Sequence, residues 1–229
     1  MPPVVRALVV ALTALLLAGC AVSVGSGSGG GSDGTDDSPP IGRVNRDDLV
    51  GDEESAVGAT DAFWREAFPD LFRGSYRAPK VQGGYDGENG PTCSGHPPVA
   101  FNAFYCPSED FVAWDENLMA AGYEKIGDAW VYLIIAHEWG HAIQARLQRD
   151  KVSVAAELQA DCFAGATLFG AAERGFLRFE RGDTEELAQT LAAVADDFPW
   201  TKESDHGDAQ ERTNAFNEGA QGGPEVCVR

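Results

Sequence analysis

Two histidines and a glutamate lie within five consecutive residues, His137-Glu138-Trp139-Gly140-His141. Histidines four apart on a helix project from the same face, so both imidazoles can reach one metal ion. Glu138 follows the first histidine directly, close enough to bond a water molecule held at that ion. Zinc hydrolases place two ligands and a general base in this pattern. It therefore predicts a hydrolytic zinc site with His137 and His141 as ligands.

The same residues also have a plain structural interpretation, in which both histidines are hydrogen-bonded members of a core. The chain has only four histidines, and two of them have this spacing inside an apolar stretch, which favours metal binding. That stretch, from Asp128 to about Leu147, has the apolar spacing of a helix, and Asp128 is a suitable N-cap residue. We expect the apolar residues of this helix to be buried beneath the site, with Trp139 packed in the core.

A catalytic zinc ion needs a third protein ligand and one open coordination position. Glu157 and Asp161 are the best candidates, because they are four apart in a second predicted helix, from Ser153 to about Glu173. Buried carboxylates without partners are costly. We therefore expect Glu157 to bind zinc and Asp161 to accept a hydrogen bond from a ligating histidine. The alternatives are a solvated helix face for both, and His96 as the third ligand.

The order H-E-x-x-H followed by E-x-x-x-D on the next helix is the pattern of the gluzincin metallopeptidases. Residues 135–141 and 157–165 resemble the bacterial neutral zinc metallopeptidase family, and the resemblance covers about residues 76–227. It implies a zincin-like α+β domain, mostly helical with a small sheet, and one bound Zn²⁺. The resemblance also implies a role for each residue. The zinc ligands are expected to be His137, His141 and Glu157, the catalytic base Glu138, and the residue that orients a histidine Asp161.

Such a site hydrolyses peptide bonds through a zinc-bound water that Glu138 activates. The tetrahedral oxyanion needs a second donor besides zinc. His206 is the first candidate, because a distant histidine performs this task in related gluzincins, and Tyr105 and Tyr123 are the others. The alternative for His206 is a loop position just before a helix capping box.

A peptide substrate is expected to add a strand to a sheet edge beside the zinc. Phe111 to Asp115 is predicted as a strand, and Asn102 to Tyr105 resembles the segment that lines the cleft of thermolysin-like enzymes. Both segments are equally compatible with core strands. A further helix is predicted from Asp183 to about Ala195, with a capping box formed by Asp183 and Glu186.

The N-terminus has the features of an export signal. Arg6 precedes the apolar run Ala7 to Leu17, which is too short to span a membrane well. The run ends in the residues L-A-G-C, which resemble the lipobox of bacterial lipoproteins. We expect residues 1–19 to be a signal peptide and Cys20 to carry a lipid, with an unlipidated secreted protein as the alternative. This predicts an exported protein anchored to the outer face of the bacterial cell membrane.

Residues 20–46 are dominated by Gly, Ser and Asp, which favours a flexible tether because too little apolar surface is available for folding. Residues 47–229 are predicted as one metallopeptidase domain whose first helix runs from Ser55 to Phe72. The formal net charge of -19 argues against nucleic acid as a partner. The oligomeric state stays open.

Four cysteines remain after the predicted lipidation site, namely Cys93, Cys106, Cys162 and Cys227. An even number in an exported protein predicts disulfides, and three pairings are possible. We favour Cys93 with Cys106, which closes a short loop, and Cys162 with Cys227, which ties the C-terminal tail to a helix. A zinc site built from these cysteines is the alternative, but the chain has no close C-x-x-C pair.

The sequence predicts a zinc metallopeptidase whose substrates are proteins or peptides. Two other functions share most of these features. One is a catalytically silent zinc-binding lipoprotein that acts as a binding module, and the other is a zinc amidase that acts on cell-wall material. Glu138 favours an enzyme, because a binding scaffold needs metal ligands but no general base.

Overall fold

The computed structural model describes residues 46–147, 153–195 and 207–228. Within these ranges the chain forms six α-helices, a three-stranded sheet and a short 3-10 helix at Val226–Val228. The helices are α1 (Arg46–Phe72), α2 (Glu116–Lys125), α3 (Ala129–Leu147), α4 (Ser153–Glu173), α5 (Asp183–Ala193) and α6 (Ala209–Gly222). The strands are β1 (Lys80–Tyr85), β2 (Ala103–Cys106) and β3 (Phe111–Asp115). The predicted α+β class, mostly helical with a small sheet, is confirmed.

Several predictions fall outside the described residues. These are the signal peptide, the lipidated Cys20, the tether and His206. Within the ranges that are described, no helix combines the length and the apolar character needed to span a lipid bilayer.

Helix α1 begins at Arg46, earlier than the predicted start at Ser55. Leu49 is only 4% exposed and packs in the main core, so the first turns of the helix gain a buried anchor. The acidic residues around Leu49 give no apolar periodicity, and for this reason the sequence did not indicate these turns. Helices α3 and α4 have the predicted bounds to within one residue.

The main core lies where α1, α3 and α4 pack together. Trp64 from α1 and Phe163 from α4 meet edge to face with ring centroids 5.6 Å apart, and both are fully buried. The indole N–H of Trp64 donates to the Thr167 hydroxyl at 2.9 Å. Trp139 is 1% exposed and packs in this core, as predicted. The H-E-x-x-H helix is thus fixed from behind by large apolar side chains.

The sheet has the order β1-β3-β2, with β3 parallel to β1 and antiparallel to β2. Every residue of β3 is buried. The strand predicted at Phe111–Asp115 is confirmed. Its suggested role as the edge that receives a peptide is wrong, because both sides of β3 are already paired. Strand β2 is an edge strand, and it is this strand that lies beside the H-E-x-x-H helix.

Close helix contacts depend on glycine. A Cβ atom on Gly140 of α3 would lie 2.8 Å from the carbonyl oxygen of Ala160 on α4, which is too close for a methyl group. On the other face of α4, side chains at Gly165 or at Gly219 of α6 would collide with the backbone of the opposite helix. Helix α4 is therefore held between α3 and α6 at backbone contact distance.

Two disulfides, Cys93–Cys106 and Cys162–Cys227, have the pairing favoured from the sequence. The first ties the loop before β2 to that strand. The second ties the C-terminal 3-10 helix to α4. All four sulfur atoms are bonded, so the alternative of a cysteine zinc site is wrong.

The predicted capping box of α5 does not form. Gly182, with a φ of 121°, occupies the N-cap position and makes no side-chain cap bond. Asp183 lies one residue inside the helix and accepts a hydrogen bond from the backbone N–H of Glu180 at 2.6 Å. Glu186 is turned toward the start of α3, where it accepts from the N–H of Ala129 at 3.3 Å. A local contact with the preceding turn thus takes the Asp183 carboxylate, and a tertiary contact with α3 takes that of Glu186.

Candidate metal centre

Helix α3 brings three functional side chains to one cavity of about 730 Å³. His137, Glu138 and His141 all line this cavity. His137 and Glu138 are 7% and 8% exposed, and the side chain of His141 is 19% exposed. The two imidazole rings are nearly perpendicular, with centroids 4.8 Å apart. The four-residue spacing therefore directs both rings to the same point, as the sequence predicts.

Glu157 reaches the same point from α4. Its carboxylate oxygens lie 3.2 Å from Nε2 of His137 and 3.5 Å from Nε2 of His141. Zinc bonds to such atoms are about 2.0–2.2 Å long, so ligand atoms around a tetrahedral ion lie about 3.3–3.5 Å apart. One nitrogen from each histidine and one carboxylate oxygen lie within 4.8 Å of one another, so the three residues have the chemistry of a three-ligand zinc site and are close enough to share one ion.

Asp161 lies directly behind His137. Its Oδ1 is 2.8 Å from Nδ1 of His137, and the residue is completely buried. A carboxylate at this position accepts the Nδ1 proton and leaves the Nε2 lone pair free to face a metal. The predicted contact between Asp161 and a ligating histidine is present.

Arg212 on α6 provides the positive charge that balances Asp161. Its Nε donates to Oδ2 of Asp161 and its Nη2 donates to Oδ1, both at 2.8 Å. Its Nη1 donates to the Val194 carbonyl at 2.7 Å. Burial raises the pKa of Asp161, but His137 and Arg212 outweigh this effect, so that the pKa is lowered. Sequence reasoning missed Arg212. The only signal was that a buried Asp161 needs a cation.

Gln144 orients the second histidine. Its Oε1 lies 2.9 Å from Nδ1 of His141, and its Nε2 donates to the Ala156 carbonyl at 2.6 Å. Because the amide N–H group is used by Ala156, the amide oxygen faces His141 and accepts its Nδ1 proton. Sequence reasoning missed Gln144 as well. Its position three residues after His141 on the same helix was the available signal.

The residues of this site favour a positive charge. Burial lowers the pKa of His137, but the carboxylates of Asp161 and Glu157 outweigh it and raise the pKa to about 10. In protonated His137 the Nδ1 proton faces Asp161 and the Nε2 proton faces Glu157, so each carboxylate stabilises the charged ring. A divalent cation would meet the same electrostatic demand, and in this respect the residues present fit zinc.

The remaining predicted site residues have different positions. Tyr105 lines the cavity, but its hydroxyl donates to Asp110 at 2.9 Å and accepts from Arg146 at 3.2 Å. Tyr123 does not line the cavity and donates instead to Asp52 on α1, so its suggested role as an oxyanion donor is wrong. His96 is exposed in the loop near Cys93, away from the cavity. His206 lies outside the described residues.

A helix that carries H-E-x-x-H thus meets a glutamate and an aspartate that the next helix supplies four residues apart, and together they form a candidate metal site. The chain belongs to the family described as "Putative neutral zinc metallopeptidase", whose model matches residues 5–228.

Curated relatives extend the similarity over most of the chain. The uncharacterized protein YpfJ of Escherichia coli strain K12 is 28% identical over 211 residues, which cover 80% of this chain and 72% of YpfJ. The uncharacterized protein Rv2575 of Mycobacterium tuberculosis strain H37Rv is 26% identical over 205 residues, which cover 74% of this chain and 66% of Rv2575. No solved structure matches the chain.

Proposed function

We propose that this protein is a zinc-dependent peptidase that hydrolyses peptide bonds in proteins or peptides. The observation that carries the proposal is the position of Glu138, which lines the same cavity as the three candidate ligands and directly follows His137 in α3. A binding scaffold needs no carboxylate there. Family membership supports the same reaction class.

His137, His141 and Glu157 would hold one zinc ion, which when bound polarises a carbonyl and lowers the pKa of a water molecule. Asp161 and Gln144 keep the Nδ1 protons of the two histidines in place, so that both Nε2 atoms present lone pairs.

Glu138 would act as general base and then as general acid. It would take a proton from the attacking water as the oxygen bonds to the scissile carbonyl carbon. It would then give that proton to the amide nitrogen as the C–N bond breaks, releasing a carboxylic acid and an amine. His206 remains the proposed oxyanion donor, because the hydroxyl of Tyr105 is already bonded to Asp110 and Arg146.

The experiment compares the purified wild-type domain with Glu138→Gln. We expect both proteins to bind one zinc ion per chain, measured by elemental analysis, and only the wild type to cleave an unfolded protein such as casein. Glu218→Gln is the matched control, since Glu218 is exposed on α6 and lies away from the cavity. Full activity in Glu138→Gln would refute the assigned base. Zinc binding without cleavage by the wild type would favour a binding module, and cleavage of cell-wall material alone would favour an amidase.

We further propose that the protein is exported and anchored through Cys20 to the outer face of the cell membrane. The leader sequence supports this location, as do two disulfides, which persist in oxidising compartments. The test is incorporation of an alkyne-labelled fatty acid in a bacterial host. We expect labelling in the wild type and in Ser23→Ala but none in Cys20→Ala. Equal labelling of Cys20→Ala would contradict the anchor.

A further inference from the structure

An aromatic side chain is exposed at the cavity that contains the candidate metal centre. Phe101 is 58% exposed and lines this cavity just before β2. Val99, two residues earlier, is 67% exposed but does not line it. Five large apolar side chains are exposed in the described part of the chain, and among these five Phe101 alone lines the cavity of the candidate metal centre.

Buried polar groups hold Phe101 in place. Its backbone has a φ of 60°, a left-handed conformation that is disfavoured for a residue with a large side chain. The carboxylate of Asp115, which is 1% exposed, accepts the Phe101 backbone N–H. Burial raises the pKa of Asp115, but the backbone N–H groups of Phe101 and Asn117 outweigh it and lower the pKa. Asp115 is therefore a charged acceptor that fixes the strained residue.

A second buried side chain fixes the ends of the same loop. The hydroxyl of Tyr85 lies 2.9 Å from the carbonyl oxygens of both Val99 and Asn102. The backbone N–H of Asp115 donates to the Asn102 carbonyl at 2.8 Å. These hydrogen bonds hold the backbone on both sides of Phe101, while its ring stays exposed at the cavity.

Apolar side chains form part of the cavity wall. The charged or metal-binding groups that line the cavity are His137, Glu138, His141, Glu157 and Arg212. The apolar lining residues include Phe104 from β2, Leu118 from α2 and Ile134 from α3. The lining residues between Phe101 and Pro107 include no charged side chain, and Asn102 and Tyr105 are the polar ones among them. A substrate side chain beside Phe101 thus meets an aromatic ring and no charged residue of this segment.

We propose that Phe101 forms one wall of a preorganised subsite that binds a large apolar side chain of the substrate, such as Leu, Phe or Met, near the bond to be cleaved. This inference rests on the proposed peptidase function and names its substrate class. Phe101 is a specificity-determining residue and takes no part in the chemical step. Because the loop is already ordered, little conformational entropy is lost when the side chain binds.

The test uses binding, so that it does not depend on turnover. Zinc-loaded Glu138→Gln protein is titrated into two fluorescein-labelled Gly/Ser peptides that differ only at the central residue, Phe or Ser, and fluorescence anisotropy is measured. We expect the Phe peptide to bind about tenfold more tightly than the Ser peptide. This is the affinity expected when one aromatic side chain is only partly buried on binding. Adding Phe101→Ala removes most of this preference, whereas Phe101→Leu keeps most of it.

Val99→Ala is the matched control, since it removes an exposed apolar side chain from the same loop outside the cavity. We expect it to leave the preference unchanged. The preference also persists in zinc-free protein, because the subsite consists of side chains alone. The inference is wrong if neither peptide binds, if the two peptides bind equally, or if Phe101→Ala and Val99→Ala have the same effect. Absence of cleavage by the wild type together with a Phe101-dependent preference would contradict the peptidase proposal and leave the subsite in place.

Discussion

Asp161 and Arg212 are joined by two hydrogen bonds of 2.8 Å in the protein interior, directly behind His137. Arg212→Met would leave the Asp161 carboxylate buried with His137 as its remaining charged partner. We expect the free energy of unfolding of the zinc-free protein to fall by about 3–5 kcal/mol, the usual cost of breaking a buried pair on one side. Urea unfolding followed by circular dichroism measures this change.

Two further variants identify the cause. Arg65→Met removes an exposed ion pair with Asp61, and we expect the stability to stay close to that of the wild type because water screens such a pair. The double variant Asp161→Asn/Arg212→Met should recover part of the lost stability, because no buried charge is then left unbalanced. An Arg212→Met protein as stable as the wild type would show that Asp161 obtains its compensation elsewhere.

Gln144 fixes the orientation of His141, so its removal should weaken zinc binding more than folding. For Gln144→Ala we expect zinc affinity to decrease by about 10–100-fold, the range seen when groups that orient metal ligands are removed. Competition with a chromogenic chelator measures the affinity. Gln221→Ala, at an exposed position on α6, is the control. Equal affinities of Gln144→Ala and the wild type would mean that His141 is oriented without Gln144.

Gly140 sets the spacing between α3 and α4. A methyl group at this position meets the Ala160 carbonyl, so Gly140→Ala should separate the helices that carry the histidines and Glu157. We expect a loss of about 1–3 kcal/mol in stability, typical of overpacking, together with weaker zinc binding. Gly58→Ala in α1 has open space around the new Cβ and should stabilise the protein by about 0.5–1 kcal/mol. Identical effects of the two substitutions would contradict the close-packing argument.

Glu53 gives the stability of the protein a pH dependence unrelated to the metal centre. Burial is the main cause that raises the pKa of Glu53 to about 7. The Trp114 side chain lowers this pKa in part, and the nearby carboxylate of Glu116 raises it further. A carboxyl group whose pKa is raised on folding stabilises the folded state below its unfolded pKa. That contribution is lost as the pH rises from about 4.5 toward 7.

Glu53→Gln should therefore be more stable than the wild type at pH 8, by about 1 kcal/mol after allowance for solvent screening. At pH 4 the two proteins should be nearly equally stable. Thermal unfolding at both pH values measures the difference. Glu54→Gln, at the exposed neighbouring position, should follow the wild type. A Glu53→Gln protein with the wild-type pH profile would mean that Glu53 is ionised in the folded state without cost.

The parts of the site that depend on short-range helical spacing were predictable from the sequence. Spacings of four residues placed His137 with His141 and Glu157 with Asp161, because helix geometry alone sets which side chains share a face. Long apolar stretches likewise gave the bounds of α3 and α4. The apolar neighbours of Asp161 in the sequence indicated that it is buried. They did not indicate which positively charged residue balances its charge.

Long-range partners were not predictable. Arg212 is 51 residues from Asp161 along the chain and stands in a polar sequence that looks solvent-exposed. Strand β1 contains two glycines and a bulge, so it lacks the alternation that marks a strand. The capping box of α5 failed for a related reason, since Glu186 bonds to Ala129 on another helix and a local pattern contains no information about that contact.

Helix α4 is in backbone contact with α3 at Gly140 and with α6 at Gly165 and Gly219, and Cys162 links it covalently to the C-terminal segment. We therefore expect its amide groups to exchange hydrogen with solvent only when the whole domain opens. Glu157 and Asp161 are carried by this helix. Alignment of the metal centre should thus persist until global unfolding, so that loss of zinc on heating and loss of structure occur in a single transition.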